Sequence, residues 1–227
     1  MKRLTCFIFV LLVCLALANC GLILKPNGST SQAPRLKYNV VAVLPASSKL
    51  LLNNAIANNL LDACAPEMDR QIVDKNAGIK LTKLLQDAVQ DRVHSTIIAP
   101  YQIAEKLSTE QRQLFYTDPA IFNSILDQLG VEAVLASAAI LFEDRLGSAY
   151  AVDKPAEVAF AAIFLERKSN KILWHRCYHE SQNPLLADLT QIPQFFSTGG
   201  RWLTADELLR LGVMKVMQDF PMVDFRD

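Results

Sequence analysis

Residues 157–180 read Glu157-Val-Ala-Phe-Ala-Ala-Ile-Phe-Leu-Glu166, then Arg167-Lys168-Ser169-Asn170, then Lys171-Ile-Leu-Trp-His-Arg-Cys-Tyr-His-Glu180. Two strand-forming runs flank four turn-forming residues, which is the pattern of a β-hairpin. Successive side chains of a strand point to opposite faces. The second run therefore puts Trp174, Arg176, Tyr178 and Glu180 on one face and His175, Cys177 and His179 on the other. Trp174 and Tyr178 make theirs the expected core-facing side.

Working outward, Ala133–Phe142 is an apolar, strand-like run rich in alanine. Residues 141–156, with Gly147 and Pro155, read as a loop or as the turn of a wider hairpin. Further upstream, Val40–Leu44 is a short, wholly apolar run closed by Pro45, as expected of a buried central strand. Helical spacing of apolar residues predicts helices over Lys49–Cys64, ended by Pro66, and over Gly78–Val93. Ser95–Ala99 gives a short strand stopped by Pro100. Residues 101–130 read as broken helix, with cap-like starts at Ser108 and at Asp118-Pro119 and a stop at Gly130. Downstream, Thr204-Ala205-Asp206-Glu207 has capping-box form and opens a helix over Ala205–Gln218. The order β-α-β-α-β-β-β-α predicts a single α/β sandwich with a mixed sheet rather than a doubly wound repeat. The domain is expected over residues 39–220, with 221–227 as a tail.

The front of the chain has a different character. Lys2 and Arg3 precede thirteen unbroken apolar residues, Cys6–Ala18, and then Asn19-Cys20-Gly21. Such a run falls short of the roughly 20 residues a membrane-spanning helix needs and fits the apolar core of a secretory signal. Leu17-Ala18-Asn19-Cys20 looks like a lipobox, which marks Cys20 for lipidation and places cleavage after residue 19. Asn19 departs from the usual Gly or Ala. An uncleaved anchor, or cleavage elsewhere, is the alternative. Each buried CH₂ contributes about 0.8 kcal/mol, so several acyl chains hold firmly where one is marginal. Gly21 rather than Asp follows the cysteine, and the resemblance to lipoproteins of enteric bacteria implies transfer to the outer membrane, on its periplasmic side, with the inner membrane as the other address. Residues 20–38, containing Pro26, Gly28, Ser29, Ser31 and Pro34, read as lipidated Cys20 followed by a flexible tether.

Without residues 1–19 the chain carries 21 basic and 23 acidic residues, because Lys2 and Arg3 leave with the signal. That balance gives no electrostatic footprint for nucleic acid and no polybasic patch for anionic lipid. Of five cysteines, Cys6 and Cys14 lie in the signal and Cys20 in the lipobox. Cys64 and Cys177 remain, either paired in an oxidising compartment or as two buried thiols.

Nucleotide chemistry has no support, since neither G-x-x-x-x-G-K-[ST] nor a strand-borne G-x-G-x-x-G occurs, and a G-x-S-x-G elbow is absent. His175, Cys177 and His179 offer sensible zinc or copper donors. A single straight strand does not bring three ligands onto one ion, however, and a fourth is lacking, so a solvated polar face is the expected reading. Glu143-Asp144-Arg145 and Asp224–Asp227 hold close carboxylates in loop and tail contexts, where solvated charge is the default. No catalytic set and no cofactor is expected. Phe195, Phe196, Arg201 and Trp202, around Gly199-Gly200, either pack the last helix onto the sheet or form an exposed docking surface, aromatics and Arg being enriched at interface hot spots.

The strand Val40–Leu44 ending in Pro45, the segment Leu129-Gly130-Val131-Glu132-Ala133-Val134-Leu135 and the late-hairpin Lys171-Ile172-Leu173-Trp174 together resemble periplasmic lipoproteins grouped around PelC, LpoB, CsgG and the TolB N-terminal domain. Val131-Glu132 stands where those proteins have Ala-Asp, and Asn170-Lys171 where they have Thr-Gly. The resemblance covers residues 39–180. Glu180–Leu185 and Gly199–Leu203 extend it over 180–220 toward an uncharacterised lipoprotein subgroup. It implies an α/β domain without catalytic residues, used for protein contacts and for ring or partner assembly in the envelope. The expected function is that of a membrane-anchored, non-enzymatic assembly or accessory factor in export, secretion or cell-wall synthesis, with protein partners or further copies of itself. A small-ligand or metal-binding lipoprotein is the alternative.

Overall fold

The computed structural model describes residues 34–46, 64, 74, 76–115, 118–182 and 201–226. Arg35–Lys37 forms β1 and Val40–Val43 forms β2; helix α1 spans Ala77–Val89 and strand β3 Thr96–Ile98. Three helices follow, α2 (Pro100–Lys106), α3 (Thr109–Leu114) and α4 (Pro119–Gln128), and then the long strand β4 (Ala133–Glu143). A small ribbon, β5 (Leu146–Gly147) and β6 (Val152–Lys154), leads to β7 (Glu157–Glu166) and β8 (Ile172–Ser181). Helix α5 (Ala205–Val216), a single 3₁₀ turn and β9 (Met222–Asp224) complete the order.

Five strands make one mixed sheet in the order β3-β2-β4-β7-β8. β2 runs parallel to both β3 and β4, while β4, β7 and β8 are antiparallel neighbours. This is the mixed-sheet α/β architecture that the pattern of elements predicts. The four residues 167–170 turn the β7–β8 hairpin, and Asn170 takes the left-handed conformation that Asn tolerates better than most residues (φ 54°).

Both faces of the sheet are covered, which explains why β4 and β7 are apolar along nearly their whole length rather than alternating. On one face Val41, Val43, Leu135, Phe160 and Phe164 meet Leu81 and Leu85 of α1 and Leu208, Leu209 and Val213 of α5. On the other, Ala42, Leu44, Val134, Ala161 and Ile163 meet Ile103 of α2, Phe115 after α3 and Ile125 and Leu126 of α4. The helix starts follow their sequence signals. Ser108 and Gln111 exchange capping hydrogen bonds, as do Thr204 and Glu207, and Asp118 Oδ1 accepts from Ala120 N with Pro119 in first position.

Three boundaries differ from the sequence reading. Arg35–Lys37, expected in the tether, pairs in parallel with Met222–Asp224, expected in the tail. Each strand offers one inward apolar residue, Leu36 and Val223, too short an alternation to stand out; Val223 is nonetheless fully buried. The helix expected to reach Val93 stops at Val89, because Val93 instead bridges to Val223. The helix expected over Lys49–Cys64 lies outside the described residues apart from Cys64, which is helical. The signal, Cys20 and the tether up to residue 33 also lie outside them. No helix among the described residues is long and apolar enough to cross a membrane.

Candidate interaction surfaces

Among the described residues β8 is an edge strand, and its two faces have opposite fates. Trp174 and Tyr178 are buried beneath α5 and the 3₁₀ turn, with ring centroids 5.0 Å from Phe220 and 5.3 Å from Phe160 respectively. Trp174 Nε1 donates to Asp219 Oδ1 at 3.1 Å, and Arg176 pairs with the same carboxylate. Burial, with Glu180 as a lesser contribution, pushes the Tyr178 hydroxyl well above the usual phenol range, so it stays neutral.

On the outer face His175, Cys177 and His179 are exposed, as their alternation requires. Cys177 is joined to Cys64, the Cα atoms lying 5.3 Å apart across a sequence separation of 113. The disulfide commits the sulfur that a metal would need as thiolate. His179 Nε2 lies 2.8 Å from Glu157 Oε1 on β7. Among the described residues no group of three His, Cys, Asp or Glu converges to hold an ion.

The other candidates gather where β4 ends. Here the chain makes a short arm, β5–β6, whose base is knitted to the start of α5. Asp144 Oδ1 accepts from Ala205 N at 3.0 Å and from Arg145 N at 2.9 Å, placing a carboxylate at the positive end of that helix. Arg145 Nη1 donates to the Trp202 carbonyl at 2.5 Å, Trp202 N donates to the Ala149 carbonyl at 2.7 Å, and Lys154 pairs with Glu143 at 2.5 Å. The carboxylates Glu143 and Asp144 thus have structural partners.

Of the four residues singled out as a docking patch, Trp202 is buried at 7% exposure. Arg201 forks onto Glu207, with Nη1–Oε2 3.0 Å and Nη2–Oε1 2.6 Å. Phe195 and Phe196 lie outside the described residues. On the arm itself Leu146 (59%) and Tyr150 (76%) are exposed. The sequence offered no period to flag them, because both sit in a connection between strands.

The opposite end of β4 carries the paired chain ends. Tyr38 N donates to the Asp224 carbonyl at 3.0 Å, Arg226 N donates to Asn39 Oδ1 at 3.1 Å, and His94 N donates to the Val223 carbonyl at 2.8 Å. Asp224 lies 2.8 Å from His94 Nδ1 and 3.9 Å from an Arg35 guanidinium nitrogen, while Arg226 reaches Glu132 at 3.4 Å. The carboxylate of Asp224 is therefore occupied by this clasp.

No family model matches the chain, and no curated protein matches it. Among solved structures it is similar to the PelC dodecamer from Paraburkholderia phytofirmans, with TM-score 0.46 and 10% identity over 83% of this chain and 94% of that one. It is also similar to lipoprotein GNA1162 from Neisseria meningitidis (TM-score 0.32, 15% identity, 71% of this chain and 97% of that one). A third is the LpoB C-terminal domain from Salmonella enterica (TM-score 0.36, 15% identity, 65% and 85%).

Proposed function

We propose that this chain is a bacterial envelope lipoprotein, anchored through acylated Cys20 on the periplasmic side of the outer membrane, that serves as a non-enzymatic assembly or accessory factor of an envelope complex. The observation that carries this reading is Leu17-Ala18-Asn19-Cys20 directly after a basic start and a thirteen-residue apolar run. A run of that length is an export signal rather than a span.

The cysteines support it independently. A Cys64–Cys177 disulfide belongs to an oxidising compartment, outside the cytosol. With that pair bonded, every cysteine has an assignment consistent with export: two in the signal, one lipidated, two paired. What the surface offers supports the accessory role. The close carboxylates are tied into ion pairs and helix ends, while exposed apolar side chains at the arm suit contact with another protein. The ligand-binding alternative gains nothing from the outer face of β8, where the thiolate is committed to the disulfide.

The anchoring is tested by metabolic labelling of the full chain with palmitate. Label and detergent-phase partitioning are expected for the native sequence and their loss for Cys20→Ser; an unlabelled native chain would sink the reading. Self-assembly is tested by light scattering on the soluble form lacking residues 1–20. A defined oligomer is expected, and a clean monomer at tens of micromolar would leave only assembly with a different protein.

A further inference from the structure

We propose that the molecule stands on its membrane in a fixed sense, with the paired chain ends against the phospholipid head groups and the β5–β6 arm directed away. This rests on the lipidation of Cys20. The first described residue, Pro34, leads directly into β1, so only fourteen residues separate the anchor from the fold. The flexible tether expected from the sequence would reach about 20 Å on average over that length. β4 runs from the clasp end, where Glu132 N donates to the Val40 carbonyl, to the arm end at Glu143. Its eleven residues span about 35 Å at roughly 3.3 Å each. The tether is thus shorter than the body it holds, and the end it enters is the end it keeps near the lipid.

The surface at that end fits the role. β1 turns Arg35 and Lys37 outward together, and Arg35 is 81% exposed. Phe225, 53% exposed, follows β9 immediately, with Arg226 beside it. An aromatic ring flanked by cations is the side-chain set that settles at a head-group boundary, the ring entering the upper acyl region and the cations meeting phosphates. Asp224, Glu132 and Asp91 share this end, and the first two are engaged by His94, Arg35 and Arg226. The contact therefore relies on the ring and on local phosphate pairing rather than on a net positive field. Leu146 and Tyr150, at the far end of β4, are then presented to the periplasm, where a protein partner can reach them.

The test uses the full lipidated chain reconstituted in phosphatidylethanolamine–phosphatidylglycerol vesicles carrying bromine at shallow acyl positions. Two variants, Phe225→Trp and Tyr150→Trp, each add one exposed indole to a background of two buried ones, Trp174 and Trp202, measured separately in the parent protein. The Phe225→Trp indole is expected to lose intensity about twofold and shift to the blue, since an interfacial ring sits within the upper acyl layer, while the Tyr150→Trp indole stays unquenched. Vesicle flotation separates the two ways of failing. Protein that floats but shows equal quenching at both positions, greater quenching at 150, or none at either, overturns the orientation and leaves the lipoprotein reading standing. Protein that fails to float, like its Cys20→Ser variant, overturns both.

Discussion

Gly212 sits in the middle of α5, where glycine ordinarily costs about 1 kcal/mol relative to alanine. Here the missing side chain is required. A Cβ at that position would lie 2.5 Å from Tyr178 Cε1 and 2.8 Å from Phe160 Cε1, both on rings locked between helix and sheet. Gly212→Ala is therefore expected to destabilise by about 1–3 kcal/mol, as overpacking does, instead of stabilising the helix. A thermal melt of the soluble form decides, and an unchanged or raised midpoint would contradict the packing described. At the start of the same helix, the hydrogen bonds from Arg201, then that from Thr204 N, hold the Glu207 carboxyl down at about 2, against an ordinary 4.5. A depressed folded-state value stabilises above the ordinary pKa, and the benefit fades as pH falls toward the folded one. Glu207→Gln should thus cost up to about 1 kcal/mol at pH 7, being a half-exposed pair and cap, and the two proteins should converge in stability below about pH 2.

At the scale of elements, β8 is held by β7 through backbone pairing and by Cys64 through the disulfide. Closing a loop of this size removes much chain entropy from the unfolded state. Cys64→Ser/Cys177→Ser is expected to lower stability by about 2–4 kcal/mol, read as a fall in the guanidinium midpoint, and dithiothreitol should bring the native chain to the same value. A midpoint unmoved by either change would mean that the bond contributes nothing. The hairpin itself was open to reading because its cause is local: a turn that Asn170 can complete, between runs of strand formers. β4 was legible in spite of Ala133, Ala136, Ala138 and Ala139, whose small side chains let helices approach a sheet buried on both faces. Features set by tertiary distance were not legible. Spacing alone places Cys64 near no particular partner, and nothing in the sequence distinguishes buried Trp202 from exposed Tyr150.

For the whole molecule, the β1–β9 pairing brings residues nearly two hundred positions apart into one three-rung ladder. Single apolar residues in short strands carry almost no periodic signal, so the sequence reading left both segments outside the domain. Ending the chain at Pro221 removes fully buried Val223 along with its pairing, and is expected to cost about 2–4 kcal/mol by loss of that side chain and its bridge to Val93. A truncated protein with the thermal midpoint of the full one would show the clasp to be ornamental. The ladder also sets an order of events. If the chain is exported N-terminus first, as the proposed function requires, β1 arrives before the other described elements and its partner β9 after all of them. Contacts of such sequence separation form late. On the proposed export route, β1 would wait unpaired until β9 had followed it, and a chain terminated before Met222 would never close the ladder, leaving an open strand edge exposed to proteases.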